Sequence, residues 1–425
     1  MSKNRNFNLS EDWIATILGL LVIVLAVAAF VSAGWVATPV KYAWSGLTEL
    51  GNVFTGQNLI GIITFGIISY VAITVIFLLQ GKSIKDTVGF LPLFAIAVTA
   101  LTIGGNSAVN DLGLEAVIFS LIIGLLINNV WGTPEWIKKA LASELYVKIG
   151  LILLGTTIFF QDLLKSGALG LIQAVIVVFT VWNFAFWLFR KLKIDKELAL
   201  MMSSGVSICG VAAAIASAGA IKGDSKKLSF VVSLVLVIAV PMIVLMPFLA
   251  HIIGLNDTLA GAWIGGTIDT TGAVVATGTI YGDEAVKTAT IVKFSQNVLL
   301  GVAAFAIAVY WAATSQNKTG LDGQKPSAHL LWERFPKFVI GFVLASLVFS
   351  LFFAGETYAP LSKSLKALQT LFFTLGFVSI GLETDFRALI NKENKKATLA
   401  FVGAQTFNVL FTLAVALAIF GVRWS

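Results

Sequence analysis

A chain of 425 residues in which 58% are hydrophobic and only 12% charged is too apolar for a soluble protein of several domains, and it reads as a polytopic membrane protein. The net charge of +7, which in a membrane protein mostly reflects cytoplasmic loops, says little about substrate; nucleic acid is not an expected partner. One cysteine, Cys209, excludes an intrachain disulfide or a thiolate metal cluster, and two histidines, His251 and His329, leave no histidine-rich metal site.

Lys3 and Arg5 precede the first apolar run, 13–33, which is longer than the core of a secretory signal and lacks an obvious cleavage site. It is expected to stay as a helix with its start inside. Residues 40–53, with Tyr42 and Trp44, suit the headgroup level, and spans follow at 59–79, 90–103, 114–130, 146–160 and 169–189. Residues 136–142, WIKKALA, form a surface helix that snorkels Lys138 and Lys139. A span at 228–250 carries Pro241, which should kink it, and a long helix covers 284–313. After a polar linker at 314–333, spans at 338–353, 365–382 and 397–420 complete the chain. The expectation is an all-α membrane protein of about eleven transmembrane helices plus two broken elements, divided into N-terminal helices (1–113) and a core (114–425).

The first broken element is 203–224, SSGVSICGVAAAIASAGAIKGD, too rich in small residues and hydroxyls for an ordinary spanning helix. Gly205 and Gly210 bracket Ser207 and Cys209, so the backbone can unwind at a depth where a bare amide has no water partner. The second, 265–283, GGTIDTTGAVVATGTIYGD, repeats its tail: Gly219, Ile221, Gly223 and Asp224 fall on Gly278, Ile280, Gly282 and Asp283 at one offset. Paired broken elements in related halves point to a transporter's substrate site, although small residues also serve close helix packing.

Arg190, Lys191, Lys193 and Lys196 before the first element, and Lys222, Lys226 and Lys227 after it, place both its ends inside and make it a re-entrant hairpin. Residues 251–278 lack Lys and Arg, whereas 314–337 and 383–396 are basic, so the second element enters from outside and the copies are inverted. Two unwound helices crossing fully are the rival topology, at the cost of three lysines outside. A fainter echo relates 151–164 to 371–386.

Asp269, among Gly265, Gly266, Thr267, Thr270 and Thr271, is the sharpest candidate, because an acid inside the membrane is costly unless paired, hydrated or neutral. It could pass a proton or, with Thr267 and freed carbonyls, hold sodium; the plainer reading is a cap on the next helix. Lys293 shares a helix face with Thr290 and Asn297, with Gln296 beside them. It suits an anion or charge balance with Asp269, or a static salt bridge. Ser203, Ser204, Ser207 and Cys209 offer donors at a helix start of the kind that binds oxyanions, against the plainer reading of hydroxyls bonded to their own helix and a packing thiol. Asn106, Asn110, Asp111, Asn128, Asn129, Glu383 and Asp385 sit at span ends and read as caps.

SSGVSICGVAAAIAS and IGGTIDTTGAVVATG, with KIGLILLGTTIFF before and IVKF after, resemble the YeiH-type sulfate exporter family of bacterial inner-membrane proteins over roughly residues 114–425, SICGVAA being the most specific part. The resemblance implies an inverted-repeat secondary transporter, in a larger group that includes bile-acid and sodium–proton exchange types. The chain departs from that pattern: Asp269-Thr270 and then Gly272-Ala273 stand where the family has a His-Glu pair followed by Gln, and Gln296 stands where an Arg follows the lysine.

The expected function is therefore secondary active transport of a small anion (sulfate, sulfite or an organosulfonate) by alternating access, coupled to protons or sodium. Ser203, Ser204, Ser207, Cys209, Thr270, Thr271, Lys293 and Asn297 would hold the substrate, and Asp269 with Thr267 the coupling ion. No other cofactor is expected, and the protein would be a multi-pass inner-membrane protein with a cytoplasmic N-terminus and a homodimer as its candidate assembly. The alternative keeps the fold and moves an organic carboxylate, or exchanges a cation through Asp269. An enzyme is not expected. Gly223-Asp224 and Gly282-Asp283 superficially match membrane aspartyl proteases but lie at polar exits, and neither a zinc H-E-x-x-H motif, a repeated selectivity filter nor an ATP-binding loop occurs.

Overall fold

A computed structural model describes residues 10–111, 116–314, 332, 335–353, 355–385 and 395–421. Lys3, Arg5, His329, most of the 314–333 linker, most of the 383–396 loop and the side chains of Asn110 and Asp111 lie outside the described residues. In chain order the helices are α1 (Glu11–Ala33), α2 (Leu47–Val53), α3 (Gly56–Leu79), α4 (Phe90–Gly104), α5 (Ser107–Asp111), α6 (Ala116–Leu126), α7 (Glu135–Lys138), α8 (Ser143–Gly155), α9 (Phe160–Lys191) and α10 (Lys196–Ser204). There follow α11 (Val211–Ile221), α12 (Ser225–Ile252), α13 (Asp257–Thr267), α14 (Thr271–Tyr281), α15 (Asp283–Val298), α16 (Leu300–Thr314), α17 (Phe338–Phe352), α18 (Ala359–Glu383) and α19 (Lys395–Phe420).

Among the described residues, eight helical stretches are long and apolar enough to cross a membrane. The spans expected at 114–130, 146–160 and 338–353 form α6, which a wide helical turn at Ile127–Trp131 extends to 16 residues, α8 of 13 residues and α17 of 15. At 1.5 Å per residue these are about 20–24 Å long against a hydrocarbon core of about 30 Å. α8 stops where Thr156 and Thr157 turn their hydroxyls onto the carbonyls of Leu153 and Leu154.

The chain divides into two compact units, one of Met1–Leu163 with Lys337–Thr384 and one of Leu164–Pro336 with Asp385–Ser425. In the first, α18 packs along α6 and α8. Gly124 and Gly381 let α6 and α18 touch backbone to backbone, since a Cβ on either would lie 2.9 Å from the other's Cα. α18 contains most of the segment 371–386, whereas the faintly similar 151–164 is split between the end of α8 and the start of α9. Asn128 and Asn129 do act at a helix end, both donating to the Thr384 carbonyl at 3.0 Å. Lys148, largely buried, is ringed by Glu11, Asp12 and Glu144 at 2.8, 2.9 and 3.1 Å.

Both broken elements lie in the second unit, and both fold back on themselves. α10 and α11 are joined through a wide turn of helix, Gly205–Cys209, and a break at Gly210. The far end of α11 returns to the start of α10: Gly223 lies against Met201, and Lys227 pairs with Asp195 and Glu197 at 2.6 and 2.9 Å. Where the chain leaves this first hairpin, the backbone N–H groups of Lys227 and Lys226 hold the Asp224 carboxyl below the ordinary carboxylate range. In the second hairpin α13 and α14 are joined by extended backbone at Ile268 and Thr270, and Tyr281 donates its hydroxyl to the Leu255 carbonyl and stacks on His251. The feet of the two hairpins are thus tied to opposite ends of α12, whose 28 residues span about 42 Å. α11, α13 and α14 have 11 residues each, about 16 Å, so each hairpin reaches only about halfway along α12 before it must turn.

Candidate functional site

The two tips meet. Gly210, which caps α11, has φ +54°, and a Cβ built on it would lie 3.1 Å from the Asp269 carbonyl oxygen and 3.2 Å from the Thr270 Cγ2. Thr270 is itself the cap of α14, its Oγ1 accepting from the Ala273 N–H at 3.2 Å. The N-termini of two half-helices therefore abut, and each brings the positive end of its dipole to the junction. Val211, Ala212, Thr271 and Gly272 remain half-buried there, whereas Ala213, Ala214 and residues 273–278 behind them are buried.

Unwound backbone inside a membrane needs partners from protein side chains. Lys293, 1% exposed, donates to the Ile208 carbonyl at 2.6 Å, the Ile268 carbonyl at 2.8 Å and Gln296 Oε1 at 3.0 Å. All three ammonium protons are committed, and two of them tether one tip to the other. Asn408 of α19 does the same, its Nδ2 donating to Val206 and Thr267 carbonyls at 3.0 Å each. Gln405 Nε2 reaches the Thr267 carbonyl at 3.1 Å, Gln296 Nε2 the Gly266 carbonyl at 2.8 Å, and Gln173 Nε2 of α9 the Ala262 carbonyl at 2.8 Å. Replacing Asn408 with leucine strips the Val206 carbonyl of this donor and is expected to cost about 2 kcal/mol in unfolding of the purified protein. Thr412→Val, which loses only the hydroxyl bonded to Asn408 Oδ1, should cost less than half of that.

Asp269 is 2% exposed and neither carboxylate oxygen has a hydrogen-bond partner. It is not the cap of α14, since Thr270 takes that place. Ser203, Ser204 and Ser207 donate their hydroxyls to the carbonyls of Ala199, Leu200 and Ser203, four residues back, and Ser204 also accepts from Trp182 Nε1 at 3.1 Å. In this geometry those oxygens can only accept further bonds. Cys209 is buried among Val178, Ile208, Ala213, Ala216, Leu300 and Ala304. Thr271 Oγ1 accepts from Asn297 Nδ2 at 3.3 Å, and Thr267 Oγ1 has no partner. The ten predicted site residues thus all lie in the second unit, with Asp269, Thr270, Thr271, Lys293 and Asn297 linked directly or through neighbouring backbone at the junction.

Gln173, Gln405 and Asn408 were not singled out from the sequence. Their signal is readable all the same: Gln405, Asn408 and Thr412 recur at helical spacing on one face of an otherwise apolar span.

Residues 88–400 match the family model described as conserved hypothetical protein 698. The chain is similar to a UPF0324 membrane protein of Rhodopirellula baltica, 38% identical over 81% of this chain and 65% of that protein, and to one of Nitratidesulfovibrio vulgaris, 39% identical over 79% and 60%. A UPF0324 membrane protein of Nitrosomonas europaea is 27% identical over 98% of this chain and 95% of its own length. The chain thus spans less than two thirds of the length of the first two relatives. No solved structure matches it.

Proposed function

We propose that this chain, which belongs to the membrane protein family described as conserved hypothetical protein 698, is a secondary active transporter of a small anion rather than an enzyme. The observation that carries the reading is the abutment of the α11 and α14 N-termini at a break in both helices, beside the buried Lys293. Half-helix N-termini directed at a common point bind carboxylate, sulfonate or sulfate oxygens through backbone N–H groups. Lys293, its protons committed, contributes charge at a distance rather than a direct contact. The anion is then held by the first N–H groups of α11 and α14, and the serine hydroxyls line the site without donating to it. Asp269 carries the coupling ion. The hairpins tied to opposite ends of α12 support an inverted-repeat, alternating-access transporter of a bacterial inner membrane, with the N-terminus inside.

Cation exchange on the same fold is the second reading, favoured by the unpartnered Asp269 carboxylate. Proteoliposomes separate the two. The anion reading expects saturable flux of sulfate, sulfite, an alkylsulfonate or a dicarboxylate, driven by a proton or sodium gradient and uncoupled from it in Asp269→Asn. Dissipation of the cation gradient with no anion moving would establish exchange instead.

A further inference from the structure

Among the described residues of the second unit, seven buried polar atoms have no hydrogen-bond partner, all of them on or beside the second hairpin: Gln173 Oε1, Thr267 Oγ1, both Asp269 oxygens, Thr290 Oγ1, Asn297 Oδ1 and Gln405 Oε1. Five of the seven can only accept. Gln173, Gln405 and Asn297 each spend their amide nitrogen on this hairpin, on the Ala262 carbonyl, the Thr267 carbonyl and Thr271 Oγ1. For Gln173 and Gln405 a carbonyl partner fixes the amide orientation, so the oxygen is what remains unsatisfied. The nearby donors are already used, Lys293, Gln296 and Asn408 all on tip carbonyls. Leaving this many acceptors buried and bare costs too much unless a donor or a cation sits among them.

We propose that Asp269, the Thr267 hydroxyl and the Gln405 carbonyl bind a dehydrated monovalent cation of the sodium class. The assignment rests on the transporter reading only for the purpose it gives the ion. Gln405 of α19 neighbours the Asp269 carboxylate, and its nitrogen is bonded to the carbonyl of Thr267 at the end of α13, so the three ligands come from the end of α13, the break that follows it, and the helix packed against α13. Oxygen ligands without nitrogen or sulfur select a hard cation. A single carboxylate balances one charge, and the buried ammonium of Lys293 penalises a second. Thr267 closes α13, whose C-terminal dipole end is negative, which adds to the attraction. A proton on Asp269 would satisfy one oxygen and leave Gln405 and Thr267 as they are, whereas one cation satisfies several at once.

The test is thermal unfolding of the purified full-length protein in sodium, potassium or choline chloride at equal ionic strength and fixed pH. Sodium should raise the midpoint saturably, choline should not, and potassium should act only at concentrations at least tenfold higher. Gln405→Leu should raise the half-saturating sodium concentration at least tenfold, and Asp269→Asn should abolish the response. Should a variant fail to fold, wild-type protein alone decides it: sodium should slow amide exchange across 257–281 and choline should not. Equal response to all three salts, or a response to pH alone, overturns the site. Sodium binding without anion flux in liposomes would leave the site standing and sink the anion reading; anion flux with no sodium response in unfolding would do the reverse.

Discussion

Lys293→Met is expected to unfold the junction rather than merely weaken it. Methionine keeps most of the volume but supplies no donor, so the Ile208 and Ile268 carbonyls and Gln296 Oε1 lose their shared partner in a fully buried place. At about 1–3 kcal/mol for each stranded acceptor, the loss is on the order of 3–6 kcal/mol, reduced somewhat because a buried charge is also removed. In sodium-free buffer Asp269 is then left without its nearest compensating charge. The double variant Lys293→Met/Asp269→Asn should therefore be more stable than Lys293→Met alone, a sign that simple loss of packing would not produce. Thermal or detergent unfolding of the four proteins of the cycle measures it, and a single variant as stable as wild type would remove the tether from the account.

Gly210→Ala is expected to be the other severe change, and Gly205→Ala, five residues away, a mild one. Gly210 holds φ +54° and ψ −111°, a conformation side chains rarely tolerate, and its Cβ would come within 2.7 Å of Val235 Cγ1 as well as against the backbone of the opposite tip. Backbone strain of about 1–3 kcal/mol and overpacking of about 1–3 kcal/mol act together, and the relief available is to push the hairpins apart. Gly205, which opens the wide turn, keeps a right-handed φ of −57° and ψ of −54° with its nearest neighbour at 3.4 Å, so a methyl group fits. Ligand-free stability and anion flux should both fall for Gly210→Ala and both survive in Gly205→Ala. Equal damage at the two positions would contradict the geometry of the tip.

The two glycines mark what a single sequence conveys. Both stood out as a place where the helix could break, yet nothing in the chain distinguished the one that breaks it from the one that does not, because φ is set by what the backbone must approach. The paired elements, their shared tail and the basic residues at the feet of the first were legible, since glycine content, offset and charge are properties of the chain. So were Asp269 and Lys293, which the cost of burying charge makes conspicuous. Their pairing was harder to anticipate. The sequence suggested an acid and a cation facing each other; in the fold the lysine spends its protons on two carbonyls and the acid takes none of them.

The amino-acid sequence by itself determined that this protein is a helical membrane protein with two broken elements and an intramembrane acid, because hydropathy, helix-breaking residues and the price of buried charge act locally. Only the tertiary structure decided that the elements are hairpins, that their N-termini abut, and that α9, α15 and α19 supply the amides and ammonium that hold them. Those contacts join residues up to 202 positions apart. Backbone carbonyls freed by an unwound helix take whichever donor folding brings near, and no local pattern names that donor in advance.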